Sequence, residues 1–166
     1  VIYLAGQSNN AGFCGTTLFT PVNSNLYVLD INSGGLYLAQ EPLISGAYIY
    51  SFLGTRIGDT LITDGYASDG VVLVPNAIGG TSAANWDASG IWNYRIGVSV
   101  RRCQALGLNR SIVYRVQGES DTALATGQSA YQASLQSEID TYRNLGVTGN
   151  FYVTLTSRVA GGATSS

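Results

Sequence analysis

The sequence predicts an α/β fold built on a central parallel sheet. Strand-like apolar runs alternate with stretches whose apolar residues recur at helical spacing, and that alternation implies βαβ units. Val71-Val72-Leu73-Val74 is apolar without interruption, as a strand covered on both faces must be. The length of 166 residues suits one domain spanning residues 1–166 and is enough to bury a core without a metal or disulfide staple.

Taken in order, residues 1–5 read as an apolar strand ending at Gly6. Residues 26–31 read as a short strand, Asn32-Ser33-Gly34-Gly35 as a turn, and residues 36–39 as a returning hairpin partner. Residues 47–62 carry Ile49, Phe52, Leu53, Ile57 and Leu61 at helical spacing. Residues 70–78 form the next strand. Residues 91–106 form a helix that Gly107 stops. Residues 112–116 are a strand, 127–144 an amphipathic helix ending before Gly146, and 151–156 a final strand.

Composition narrows the function. Charged residues make up 11%, against about 25% in an ordinary domain. Net charge is −2, and every cation is an arginine. A basic nucleic-acid footprint is excluded as the main reading. No apolar run approaches the ~20 residues of a membrane helix. Low charge with abundant Gly, Ser, Thr and Tyr leans towards an extracellular or particle-surface protein. Cys14 and Cys103 form neither a zinc nor a redox motif, and two buried free thiols are expected, with a disulfide as the alternative. No metal-ligand set is visible, so no cofactor is expected. There is no histidine.

In a parallel sheet, function gathers at the carboxyl ends of the strands. Three polar segments each follow a strand there: Gly6-Gln7-Ser8-Asn9, Gly79-Gly80-Thr81-Ser82 with Asn85-Trp86 behind it, and Gln117-Gly118-Glu119-Ser120-Asp121. Ser8 is the candidate nucleophile; its ordinary alternative is a helix N-cap. Gly80 can bring a backbone N–H to a reacting oxygen, or simply make a turn. Gln117 can donate its amide to an oxyanion, or satisfy buried loop carbonyls. Glu119 and Asp121 either support the site or order their loop.

Together, Leu4-Ala5-Gly6-Gln7-Ser8-Asn9, Ala77-Ile78-Gly79-Gly80-Thr81 with Trp86, and Gln117-Gly118-Glu119-Ser120-Asp121 resemble the first three sequence blocks of the SGNH hydrolases. The chain is most similar to the sialate O-acetylesterase and carbohydrate esterase family six branch. The resemblance implies a flavodoxin-like, three-layer α/β/α fold and serine-based removal of acetyl esters from sugars. It makes Ser8 the nucleophile. The backbone N–H groups of Ser8 and Gly80, with the Gln117 side chain, become the oxyanion hole, and Glu119 becomes a supporting acid. The substrate it implies is an acetylated carbohydrate. Trp86, Trp92 and several tyrosines are candidates for stacking on sugar rings, with core packing favoured for Trp92.

The sequence departs from that pattern in three places. Asn10 stands where the family has methionine, and Arg115 where it has an aromatic. The Asp-x-x-His block that follows the family's last strand is absent, and with it the base a serine nucleophile needs. The last strand that precedes that block, and its helix, are expected to be missing. Beginning inside a strand and lacking the last block, the chain is expected to be a piece of a longer protein, or to borrow its aspartate and histidine from another chain. The competing expectation is a glycan-binding pseudo-esterase that kept the pocket and lost the base.

Overall fold

A computed structural model describes residues 1–154. The strands are β1 (Ile2–Gly6), β2 (Leu26–Leu29), β3 (Leu36–Leu38), β4 (Val71–Pro75), β5 (Ile112–Val116) and β6 (Phe151–Thr154). The helices are α1 (Leu53–Thr63), α2 (Asn93–Ala105), α3 (Glu119–Ala123) and α4 (Gln128–Asn144). The strands form one sheet in the order β3-β2-β4-β1-β5-β6. Every pairing is parallel except the β2–β3 hairpin. With β6, five strands among the described residues run parallel. Residues 155 and 156 of the expected last strand lie outside the described residues.

Strand pleating explains the three layers. Ile2 and Leu4 face one core with Leu26, Val28, Val71 and Leu73, and Ile57, Leu61 and Ile62 of α1 cover it. Tyr3 and Ala5 face the opposite core, where Ile96, Val100 and Cys103 of α2 meet Tyr142 of α4. Neighbouring residues of one strand thus serve two cores, and this is why β1 and β4 are apolar throughout.

Helix α1 approaches the sheet closely because two of its residues lack side chains. A Cβ on Gly54 would lie 2.4 Å from Leu4 Cδ2, and one on Gly58 2.7 Å from Leu26 Cδ1. Gly97 of α2 is different: a Cβ there would meet only Arg101 Nη1, at 3.6 Å. The same substitution therefore has opposite expected signs. Gly97→Ala gains helix propensity, up to ~1 kcal/mol. Gly54→Ala gains that too, but overpacking against fully buried Leu4 costs ~1–3 kcal/mol and outweighs it. Urea unfolding midpoints of the two variants should move in opposite directions.

The first helix begins six residues later than the spacing predicts. Residues 47–52 instead run beside the loop after β1. Tyr48 N donates to Ala11 O, Tyr50 N to Gly12 O, and Cys14 N to Ser51 O. These bonds outside the segment claim the backbone that a helix would have used. Cys14 lies on this loop and is exposed, so the expectation of two buried thiols is corrected; only Cys103 is buried, and both are free.

The β2–β3 turn is organised by Asp30. Its carboxylate accepts from Ser33 Oγ at 2.5 Å, from Ser45 Oγ, and from the backbone N–H groups of Asn32 and Ser33. The Ser33 and Ser45 hydroxyls, assisted by those amides and opposed by desolvation, hold its pKa down to about 2. A depressed carboxylate stabilises the fold fully above its unfolded value near 3.8, and the contribution fades as pH falls towards 2. Asp30→Asn should therefore lower the thermal midpoint at pH 6, and the gap from the parent should close as pH falls from 4 to 2.

Candidate active site

The crevice follows from topology. The chain leaves β1 towards β2 on one side and leaves β5 towards β6 on the other. Their adjacent carboxyl ends mark the point where an open α/β sheet binds ligands. All three polar segments reach this edge. Gln7 N donates to Val116 O at 2.9 Å, joining the first segment to the end of β5. After β4, Ala77 N donates to Leu4 O and Ile78 N to Gly6 O, which carries Gly79-Gly80 along the end of β1. Gly6 permits the approach. Its φ is +103°, and a Cβ would lie 2.0 Å from Val116 O.

Ser8 opens a 3₁₀ turn, Ser8–Asn10, directly after β1. It is not the N-cap; Gln7 holds that place, without a side-chain cap bond. Ser8 is half-buried, and its hydroxyl bonds to no described residue. Its backbone N–H and that of Gly80 also find no acceptor among the described residues. Gly80 is exposed, with φ +73°, and no atom lies within 4 Å of where its Cβ would be. Beneath the turn, buried Asn10 donates Nδ2 to Ala5 O at 3.0 Å and to Tyr114 O at 2.7 Å, a polar tie between the ends of β1 and β5.

The surrounding polar side chains are committed to one another. Gln7 Nε2 donates to Glu119 Oε2 at 2.5 Å, and Asn9 Nδ2 to Glu119 Oε1 at 2.7 Å. Ser120 returns the connection, its Oγ and N donating to Gln7 Oε1 at 2.6 and 3.2 Å. Glu119 thus ties the third segment to the first. Asp121 ties it to the second, accepting from Ala83 N at 3.0 and 3.1 Å.

Gln117 sits inside this lattice. Its Nε2 donates to Thr81 O at 2.6 Å and to Asp121 Oδ2 at 2.8 Å, so both amide protons serve the loops. Gln117 thereby ties the loop after β4 to the start of α3. Trp86 is fully buried and donates Nε1 to Thr81 Oγ1, so it packs in the core and is no stacking platform. Trp92 is half-buried against the same core. The ties made by Gln7, Asn9, Thr81 and Ser120 carry no sequence signal beyond lying in the three polar segments.

Behind the site, Arg115 and Glu138 form a fully buried ion pair at 2.7 Å, and Tyr131 OH lies 3.4 Å from Arg115 Nη1. Burial pushes the Glu138 carboxyl up, and the guanidinium pulls against it. The pair anchors the end of β5 to α4, two residues before Gln117.

A three-layer sheet whose carboxyl edge gathers a serine turn, a Gly-Gly turn and an acid-tied loop is the scaffold of the SGNH-type hydrolases. Residues 1–151 match the family described as carbohydrate esterase, sialic acid-specific acetylesterase, and the chain belongs to that family. No curated protein matches the chain at a significant level. Among solved structures, the fold is similar to a crystal structure of a protein from Arabidopsis thaliana. That likeness has a TM-score of 0.57 at 18% identity and covers 92% of this chain and 83% of the other. It shows the fold alone.

Proposed function

We propose that this chain carries the nucleophile side of a serine carbohydrate O-acetylesterase. The observation that carries the reading is the Ser8 hydroxyl, half-buried and bonded to no described residue, beside side chains that are tied to one another. In the proposed reaction Ser8 Oγ attacks the acetyl carbonyl. The N–H groups of Ser8 and Gly80 receive the oxyanion, each such donor being worth about 10²–10³ in kcat. The sugar oxygen leaves with a proton, and water then releases acetate from the acyl-serine. Gln117, Glu119 and Asp121 hold the three segments in register. Gln117 joins the oxyanion hole only if its amide turns away from Thr81.

The base comes from outside these 166 residues, because they contain no histidine. Either the rest of a longer chain or another chain supplies the aspartate and histidine. The test is acetate release from O-acetylated glycosides by the full-length protein. Release supports the reading. A full-length protein that carries an Asp-x-x-His block yet releases no acetate sinks it. The commitment of both Gln117 amide protons, together with the missing imidazole, favours a second reading: a glycan-binding pseudo-esterase. That reading expects saturable glycan binding without acetate release.

A further inference from the structure

Beside the Ser8 turn lies an aromatic cluster that the reaction does not use. Phe13 is 53% exposed. Its ring stands 5.2 Å from Tyr48 and 5.4 Å from Tyr50, centroid to centroid. Tyr48 and Tyr50 are each half-buried.

Backbone bonds fix this cluster to the site. Phe13 N donates to Ser8 O at 3.1 Å, placing the ring's residue one turn beyond the serine. Tyr48 N and Tyr50 N are held by Ala11 O and Gly12 O in the same loop. Tyr48 also reaches the second segment. A Cβ on Gly79 would lie 2.0 Å from the Tyr48 hydroxyl, so the phenol packs directly on the residue before Gly80. The cluster is therefore tied to the serine turn by main chain and to the Gly-Gly turn by the Tyr48 ring. No charged residue occurs in 8–15, 45–52 or 79–85, the stretches that form the cluster and these turns.

We infer that Phe13, Tyr48 and Tyr50 form a carbohydrate-stacking subsite adjoining Ser8. The inference rests on the esterase-family reading for its ligand class, a pyranose carrying an acetyl ester. A pyranose offers one face of C–H groups and a rim of hydroxyls. Exposed rings match the face, and the tyrosine hydroxyls can bond the rim. An exposed aromatic group held rigidly by main-chain bonds loses little entropy when a ligand settles on it.

Binding tests this without turnover. In the full-length protein with Ser8→Ala, a panel of O-acetylated methyl pyranosides, neutral and sialic, is titrated by calorimetry. Phe13→Ala on that background should weaken binding about tenfold, and Phe13→Trp should restore it. Equal thermal midpoints would exclude misfolding as the cause. Binding unchanged by Phe13→Ala overturns the subsite, as does failure of every probe to bind the Ser8→Ala protein. The outcomes separate from those of the esterase reading. Acetate release with no Phe13 effect removes the platform alone, whereas Phe13-dependent binding without acetate release removes the esterase alone.

Discussion

Replacing Ser8 with alanine is expected to reduce acetate release by the full-length protein by at least about 10⁴-fold while leaving the fold intact. The size follows from the role: loss of a serine nucleophile removes the covalent route and leaves only what binding and oxyanion contacts supply. The intact fold follows from the geometry. The Ser8 hydroxyl bonds to no described residue and caps no helix, so its removal should change stability by no more than about 0.5 kcal/mol. Few candidate residues separate activity from stability so cleanly. Glu119→Ala, by contrast, would release Gln7 and Asn9 together and confuse the two. Acetate release and urea unfolding of the same Ser8→Ala sample give the answer. Activity that survives removes Ser8 from the mechanism.

The largest expected effect on stability belongs to Glu138→Ala. It leaves the Arg115 guanidinium buried without its counter-ion, which typically costs about 3–5 kcal/mol. The double change Arg115→Met with Glu138→Leu should recover most of that loss, because two apolar side chains need no desolvated charge. Arg115→Met alone should be the milder single change. Burial already favours the protonated form of Glu138, which can remain neutral once the guanidinium is gone. Chemical denaturation of the parent, Arg115→Met, Glu138→Leu and the protein with both changes forms a double-mutant cycle. Additive losses would show that the pair is not coupled.

Much of the sheet was legible in the sequence. Uninterrupted apolar runs marked β1 and β4, and residues 112–116 coincide with β5, because doubly covered strands leave no polar alternation to misread. Residues 47–52 were not legible. Ile49 and Phe52 fit a helical period, yet the backbone around them is claimed by Ala11, Gly12 and Gly15, partners about 35 residues away. Periodicity reads side chains and cannot see such partners. Cys14 failed for the same reason: its loop runs along the surface to meet those residues.

At the site, the three segments could be placed on one edge because strand direction alone puts them there. The direction of the Gln117 amide could not be foreseen. It depends on Thr81 O lying within 2.6 Å, a distance set by how the loop after β4 crosses the end of β1. Tyrosines are among the stacking candidates the sequence offers, but which of them meet is not legible: Phe13, Tyr48 and Tyr50 come from two loops whose association no local pattern announces, while both tryptophans lie in or against the core.

The ties among the three segments bear on when the site comes into being. Glu119 meets Gln7 and Asn9 across 112 and 110 positions of chain, and Asp121 meets Ala83 across 38. None of these bonds can close before β5 has docked beside β1. Contacts of such long range form slowly and late, because closing a large loop costs entropy before any bond rewards it. A half-assembled sheet can bury much of its apolar surface and still have no crevice. Appearance of the site therefore reports the completion of folding, whereas gain of secondary structure reports only its progress.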